Sequence, residues 1–552
     1  EGTVEVTRSS SGSLTDLKKR LFAKMVFEQG AVREERPVIS RQVYESDQHL
    51  TMSVPVVDVD PRSAISAEVA QIVGGLPERN VVATGYRLAE IDVDKRMEGN
   101  LTINDAKRLI PRPRWVRLPW VDLGVEGKRI ASQASLTGAL FKRNVGVPAN
   151  RGFVDLDKAP VQAVKRVIDV CYRQDWQEVV NSHLNSGMWE PNEEDIQDFV
   201  EGVDEKKVKK MLDEFFMEGE VDLTEWMLMA KGKVKPSRNL GQSTKVDHPQ
   251  TIMYLQSSST NAMYSSMLRR FKKCVDECMR PEVSLNAQES DEEHERWYNS
   301  LEPVRRSHGK TYCYALDIKT YDRSQEHPAL RTLIEFYKTH GLNAERLRKW
   351  ESTHGVKRAS AMMFGVLIHV VLAGVSGIFD TLFRNGLVNL AALLVSTNVL
   401  RSQVITLDIK GDDGDLEFSV PINVEMAVDR LSLSFNFSAK FFTNDVRYMC
   451  KQFRIRFNGR WFFVADPWAR AQSACTPALI GDHEDGLKER WISLNADLRH
   501  YGNGILVDAV AEMANQYYQL PVIPYGIARS LSKFVADEKS FYNFFHPPQE
   551  VS

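Results

Sequence analysis

Residues 405–418 read Ile405-Thr-Leu-Asp-Ile-Lys-Gly-Asp412-Asp413-Gly-Asp-Leu-Glu-Phe418, two β-prone runs folded about adjacent carboxylates at a glycine-flanked turn. Turns favour Gly and Asp for conformational reasons, so a solitary Gly-Asp-Asp reads as a solvated hairpin. Side by side, however, two aspartates repel, and one takes up a proton unless a divalent cation keeps both ionised. Oxygen-only ligands select magnesium or manganese over zinc.

The company of this turn decides between the two readings. Upstream, Thr311-Tyr-Cys-Tyr-Ala-Leu-Asp317-Ile318 is an aromatic and apolar run of strand character that delivers Asp317 at its end, with Asp322 shortly after. Pro328 opens a predicted helix with Leu330, Leu333, Ile334 and Tyr337 on one face and Gly341 closing it. Between the two acidic elements lies Ser376-Gly377-Ile-Phe-Asp-Thr381-Leu-Phe-Arg-Asn385, followed by an apolar stretch to Leu400. A helix beginning just after Gly377 puts Thr381 and Asn385 one turn apart on one face, while Leu382, Phe383, Leu387 and Leu390 pack another way. Singly, Thr381 and Asn385 are ordinary helix-surface residues. With Asp322 they make a donor and acceptor set suited to a ribose 2′-hydroxyl.

These three elements, in this order, resemble the palm motifs A, B and C of viral RNA-dependent RNA polymerases. Asp317-Ile-Lys-Thr-Tyr-Asp322-Arg-Ser-Gln325 is similar to motif A of the alphavirus-like supergroup, which includes tobamovirus-like replicases, and Ser376-Gly377 through Asn385 to its motif B. Asn436-Phe-Ser-Ala-Lys440-Phe-Phe and Tyr448-Met-Cys450 resemble motifs D and E. Five ordered matches leave little to chance. The resemblance implies an α/β (α+β) right hand of fingers, palm and thumb, the palm being an antiparallel sheet backed by helices.

It also implies nucleotidyl transfer in which two metal ions, Mg2+ or alternatively Mn2+, serve both ends of an in-line displacement. Asp317 and Asp412 are the expected principal ligands, with Asp413 supporting. Asp322, Thr381 and Asn385 are expected at the ribose, with Ser376 and Gly377 in the nucleotide-recognition loop, where a residue without Cβ permits close backbone approach. Lys231-Gly-Lys233-Val-Lys235-Pro-Ser-Arg238 carries no acid, and in an extended strand its three lysines project from one side. It resembles motif F, so Lys231, Lys233, Lys235 and Arg238 are expected at the triphosphate. A run of this kind is equally a solvated face. Lys440 sits where the family places a lysine after motif C, positioned to donate a proton to the leaving pyrophosphate, though spacing alone fits a surface lysine as well.

Two departures from the family pattern stand out. Gly414 and Asp415 follow the Gly-Asp-Asp where the group commonly has Ser, an exchange expected to loosen the turn or move metal preference toward manganese. Leu372-Ala-Gly-Val375 precedes motif B where basic residues are common.

Length and composition set the remaining bounds. A chain of 552 residues can bury a substantial core and divide into several units. With 43% hydrophobic and 26% charged residues, wholesale disorder is excluded. A formal charge of −3, from 71 basic and 74 acidic residues, argues against a protein that coats nucleic acid indiscriminately. A local basic channel stays compatible with it. Six scattered cysteines do not make a secreted disulfide framework, and Cys274 and Cys278 read as structural helix residues. The apolar stretch 361–377, which contains His369 and runs directly into the motif B segment, reads as buried in the fingers and palm, not as a membrane span. Glu1 in place of Met suggests a processed polyprotein product or a trimmed terminus.

The expected organisation is a flexible segment over 1–13, an N-terminal extension over 14–139, fingers over 140–310, a palm over 311–460 with a finger insertion near 342–370, and a thumb over 461–552. Within the extension, Pro111-Arg-Pro-Arg-Trp115-Val-Arg117-Leu-Pro-Trp120 interleaves cations with aromatics and suits unpaired bases or a packing strap alike. Ser290-Asp-Glu-Glu-His-Glu295 reads as an exposed loop. Expected partners are RNA template and product, ribonucleoside triphosphates, and other viral replicase proteins for helicase and capping work. The expected setting is the host cytoplasm, with membrane association only through partners. A reverse transcriptase and a catalytically silent RNA-binding palm scaffold are the rival readings. Asp322 argues against the first, where a bulky aromatic is typical, and intact Asp317, Asp412 and Asp413 argue against the second.

Overall fold

The computed structural model describes residues 60–73, 157–190, 205–216, 225–231, 250–255, 258–285, 290–318, 321–325, 327–352, 356–361, 366–371, 381–474 and 483–545, with short pieces elsewhere. Helices and small mixed sheets make it a mixed α/β fold.

Five strands form the sheet that carries the acidic turn: β1 (Val283–Leu285), β2 (Tyr312–Ile318), β3 (Val404–Lys410), β4 (Asp413–Phe418) and β5 (Ala439–Thr443). Their spatial order is β5-β2-β4-β3-β1. The β5/β2, β2/β4 and β4/β3 pairs are antiparallel, whereas edge strand β1 runs parallel to β3, with Val283 opposite Leu407. The expectation of a purely antiparallel sheet is corrected to that extent. β1 arrives directly from the long helix Ser258–Cys278 and its strand is too short to constrain direction by a hairpin.

Strict alternation gives this sheet two chemically opposite faces. Tyr314, Leu316, Ile318, Leu407, Ile409, Leu416, Phe418 and Phe441 point to one side and join the main core with helices Ala159–Cys171, His327–Thr339, Thr381–Thr397 and Val424–Phe435. Thr406, Asp408, Lys410, Asp413, Asp415, Glu417, Asp317 and Lys440 fall on the other side by the same registers. That second face is covered lower down by helices Asp291–Ser300 and Glu302–Ser307 and by a three-stranded antiparallel sheet, β6 (Tyr448–Met449), β7 (Gln452–Phe457) and β8 (Arg460–Ala465).

Residues 291–300 are thus a helix, not the exposed loop expected from their charge. Ser290 Oγ accepts from Glu293 N at 3.2 Å, and Ser290 N donates to Glu293 Oε2 at 3.1 Å, a complete capping box. Acids in the first turn also suit the positive end of a helix. The acid Glu295 is buried, accepting from Phe463 N at 2.8 Å and from His500 and Arg499. Burial opposes its ionised form, but His500 and Arg499 hold its carboxyl below the ordinary value.

Strands Val356–Ala361 and Val366–Val371 belong to a separate five-stranded sheet with Asn100–Ile103, Glu225–Lys231 and Gln250–Leu255. From Pro467 to Phe545 the described elements are helices apart from Ala478–Leu479. They form a second core with β7 and β8, which helix Pro61–Val73 joins through Ile65. Cys274 and Cys278 are buried in their helix, as expected. Among the described residues no helix is long and apolar enough to cross a membrane.

Candidate active site

The turn at 411–412 is shaped from beneath by a helix. Lys410 and Asp413 are Cα partners, which leaves Gly411 and Asp412 as the two-residue connection of the β3–β4 hairpin. Gly411 adopts φ +63°, and a Cβ there would lie 2.9 Å from Leu382 Cδ1. The left-handed backbone favours glycine here, while the contact is only with the tip of the partly exposed Leu382 side chain. Asn389 Nδ2 donates to Gly411 O at 3.2 Å. Helix Thr381–Thr397 therefore sets the height of the turn, and Asp412 and Asp413 are both left exposed.

Asp317 is the exposed member of an otherwise mostly buried strand end. Its Cα partner on β5 is Lys440, also exposed. On the other side, β2 and β4 pair Ala315 with Asp415. Continuing that register toward the turn sets Asp317 level with Asp413, on strands about 4.8 Å apart. Lys440, Asp317, Asp413 and Lys410 consequently form a row across four adjacent strands, with a cation at each end and two carboxylates between. Cys450 adds a thiol to this row: its Sγ donates to Asp413 Oδ2 at 3.5 Å. Burial, and next the Asp413 carboxylate, push its thiol well above the ordinary value. Among the described residues, no group of three or more His, Cys, Asp or Glu side chains stands ready to hold a metal ion. The donor chemistry of the exposed ledge is carboxylate oxygen, the kind that suits a hard divalent cation.

Thr381 and Asn385 stand one turn apart in helix Thr381–Thr397, Thr381 half-buried and Asn385 turned inward. Asn385 is buried, its Oδ1 accepts from Gln325 Nε2 at 2.7 Å, and its main-chain oxygen accepts from Tyr321 OH at 2.8 Å. Leu382, expected to pack, is instead 38% exposed. The helix is turned so that its amide meets the segment after Asp317, because Gln325 and Tyr321 offer hydrogen bonds that a leucine cannot use. Asp322 lies in the short helix Tyr321–Ser324, and Lys231 ends a strand opposite Gln250. Ser376, Gly377, Lys233, Lys235 and Arg238 lie outside the described residues. Of the segment 111–120 only Trp115–Val116 is described, paired with Ala478–Leu479.

Asp415 and Gly414 play parts other than those expected. Gly414 is on the apolar face, where a Cβ would sit 3.1 Å from Ile409 Cδ1, so it permits close packing and does not loosen the turn. Asp415 is buried and already committed to Arg454, to Asn444 Nδ2 at 2.9 Å and to Arg447 Nη1 at 3.5 Å. These partners hold its carboxylate within the buried layer below the turn.

Sequence reading missed what lies below the exposed row. Asp408, Asp415 and Glu417 face Arg305, Arg447 and Arg454, three buried carboxylates against three buried guanidinium groups. Burial works against the charged form of Asp408, but His294 at 2.7 Å and Arg454 hold its carboxyl down at about 2. Glu417 is also held below its ordinary value, burial being outweighed by Arg447 and Arg305. Beside this layer is a cavity of about 250 Å3 lined by residues including Asp291, His294, Lys410, Cys450, Arg454 and Arg470.

A family model described as RNA dependent RNA polymerase matches residues 99–544. The chain is 22% identical over 509 residues to the replicase large subunit of Soil-borne wheat mosaic virus (strain United States/Nebraska/1981), covering 91% of this chain and 27% of that protein. It is 23% identical over 441 residues to the replicase large subunit of Tobacco rattle virus (isolate PpK20), covering 79% and 24%. It is 23% identical over 327 residues to the RNA-directed RNA polymerase of Barley stripe mosaic virus, covering 59% and 41%. The chain thus spans about a quarter of the length of the replicase large subunits with which it aligns.

Proposed function

The chain belongs to the RNA dependent RNA polymerase family, and from that premise we propose that the exposed row at the end of the β2–β5 strands is its nucleotidyl-transfer centre, working in the replication of a plus-strand RNA virus genome. The observation that carries the reading is the register that brings Asp317 level with Asp413, between Lys440 and Lys410.

Family membership implies metal-dependent catalysis. Asp317, Asp412 and Asp413 would hold Mg2+, or Mn2+ in its place, which supplies neutralisation of the triphosphate and activation of the 3′-hydroxyl when bound. The 3′-oxygen attacks the α-phosphorus, the bond to pyrophosphate breaks, and the hydroxyl proton passes to solvent. Lys440, on the strand next to Asp317, is the residue suited to protonate the departing pyrophosphate. Asp322, Thr381 and Asn385 would sense the ribose 2′-hydroxyl, with Asn385 held in place by Gln325. Ser376 and Gly377 would form the adjoining loop. Lys231, Lys233, Lys235 and Arg238 would line the triphosphate path.

In this reading β2–β5 lie in the palm of a right hand over 311–460, joined by β1 from the preceding segment; strands Val356–Ala361 and Val366–Val371 belong with fingers over 140–310 and the insertion, joined by Asn100–Ile103 from the N-terminal extension; and the helical block over 461–552 is the thumb. RNA template and product, ribonucleoside triphosphates and other replicase proteins are its partners, and attachment to host membranes in the cytoplasm comes through those proteins. The test is primer extension on a defined RNA template with ribonucleotides and with deoxyribonucleotides, comparing wild type with Asp412→Ala. Ribonucleotide-dependent extension lost in the variant supports the reading; equal extension by both proteins overturns it.

A further inference from the structure

Asp408 and Asp415 are Cα partners on adjacent antiparallel strands, so two carboxylates stand directly opposite each other, both with at most 1% exposure. Like charges in that relation destabilise a strand pair, and burial raises the cost. Arg454 resolves the conflict. It donates from Nη1 to Asp415 Oδ2 and from Nη2 to Asp408 Oδ2, one nitrogen to each strand of the hairpin. Its guanidinium lies 4.4 Å from the Tyr298 ring centroid and 4.7 Å from that of Phe463, which fixes its plane. The next cross-strand pair toward the turn is Lys410 with Asp413.

Arg454 also ties the hairpin to a second body. It is carried on β7, and the left-handed residues Cys450 (φ 51°) and Lys451 (φ 64°) turn the chain between β6 and β7 so that the Cys450 thiol meets Asp413. The β6–β8 sheet therefore reaches the hairpin at two places, a guanidinium below the turn and a thiol at it. One register step farther from the turn, Arg305 binds Glu417 Oε2 at 2.9 Å and Thr406 Oγ1 at 3.1 Å, a comparably buried bridge that lacks any contact at Asp413. Apolar pairs of similar volume would stabilise such an interface as well or better. What charge adds is a fixed register and orientation.

We propose that Arg454 is a positioning residue for nucleotidyl transfer, a clip between Asp408 and Asp415 that fixes the spacing and height of the Asp412–Asp413 turn against the β6–β8 sheet. The proposal rests on the assignment of Asp412 and Asp413 made above.

The test compares full-length Arg454→Lys, Arg305→Lys and Asp412→Ala with wild type. Lysine keeps the charge but, as a compact point charge, does not reproduce the planar fork that reaches two carboxylates. Arg454→Lys is expected to lower kcat for primer extension by about tenfold to a hundredfold, the scale on which small misplacements act. It should raise the half-saturating Mg2+ concentration several-fold while leaving the nucleotide KM nearly unchanged. Without any metal, amide exchange at 409–414 should quicken. Arg305→Lys should lower Tm comparably, with kcat and Mg2+ dependence close to wild type. Where Arg454→Lys yields no folded protein, Asp408→Asn with Arg454→Gln removes one charge of each sign and should give the same kinetic and exchange signature. Unchanged kcat, Mg2+ dependence and exchange in these Arg454 variants, or the same losses in Arg305→Lys, overturn the proposal. Wild-type extension by Asp412→Ala instead sinks the site assignment and the proposal with it.

Discussion

Lys440 stands directly opposite Asp317 across the β5–β2 ladder, both side chains exposed on the polar face of the sheet. If Asp317 holds metal as proposed, a cation fixed one strand away is placed to act on the far end of the same displacement. Lys440→Met is expected to lower kcat about tenfold to a hundredfold with little change in nucleotide KM, as for loss of a general acid. Lys440→Arg keeps the charge but transfers its proton poorly, so it should recover only part of the rate. Single-turnover extension on an RNA primer-template measures both. A Met variant with wild-type kcat removes Lys440 from the mechanism.

Gln325 makes a second, less obvious contribution. Its Nε2 donates to Asn385 Oδ1 at 2.7 Å, binding the segment after Asp317 to helix Thr381–Thr397. Loss of that donor removes one of the contacts that position the buried Asn385 amide. Gln325→Ala is expected to reduce discrimination between ribonucleotides and deoxyribonucleotides about tenfold, because a site built on hydrogen bonds loses selectivity when they slacken. The ratio of kcat/KM values for matched rNTP and dNTP substrates reports it; an unchanged ratio with lowered Tm makes Gln325 structural only.

These two residues also mark where sequence reading works and where it stops. Motif spacing singles out Asp317, Asp412 and Lys440 as candidates, but that Asp317 lies level with Asp413 depends on which strands become neighbours. Alternation along 406–417 separates Thr406, Asp408 and Lys410 from Leu407 and Ile409. It does not say whether the polar side meets water or Arg454, whose position is far along the chain and set by tertiary packing. Helical spacing likewise groups Thr381 with Asn385 without telling which way the helix is rolled, and the roll is decided by Gln325 and Tyr321. The capping box at Ser290 and Glu293 is a local signal present in the sequence, but acids and Ser mark loops as well, so the pattern alone does not decide between helix and loop.

Two buried groups give stability a defined dependence on acid. His340 is neutral in the fold: Nδ1 donates to Phe336 O at 2.7 Å, and Nε2 lies 3.0 Å from Tyr172 OH. Burial lowers its value from 6.5 to about 4. Between pH 6.5 and 4 the unfolded chain therefore binds the extra proton, and stability falls as pH falls, by about 3 kcal/mol in total. Asp408, held at about 2, contributes stability above its ordinary value of 3.8 that is lost as pH drops from about 4 toward 2, a further loss of about 2 kcal/mol. Urea unfolding at successive pH values should show both windows, and His340→Gln should flatten the upper one alone. A His340→Gln protein with the wild-type slope between pH 6.5 and 4 would falsify the assignment.

Glu68 tests whether the segment before the family-matched residues is part of the same folded unit. It is carried on helix Pro61–Val73, and its carboxylate accepts from Gly526 N and from Ile527 N, the latter at 2.7 Å. Those amides begin helix Tyr525–Ala536, whose first turn otherwise lacks a side-chain cap from its own N-cap residue, Pro524. An acid supplied from another helix fills that role and meets the positive end of the dipole. Gly526 admits it, since a Cβ there would lie 2.8 Å from Glu68 Oε1. Glu68→Ala is expected to cost about 1–2 kcal/mol, the usual worth of a cap with a dipole contribution. Gly526→Ala should cost a similar amount by pushing the carboxylate away, and the two losses should not add, because each removes the same contact. Chemical denaturation of both single variants and the double variant decides the matter: fully additive losses would mean that Glu68 and Gly526 act separately, and that helix Pro61–Val73 is not fastened here.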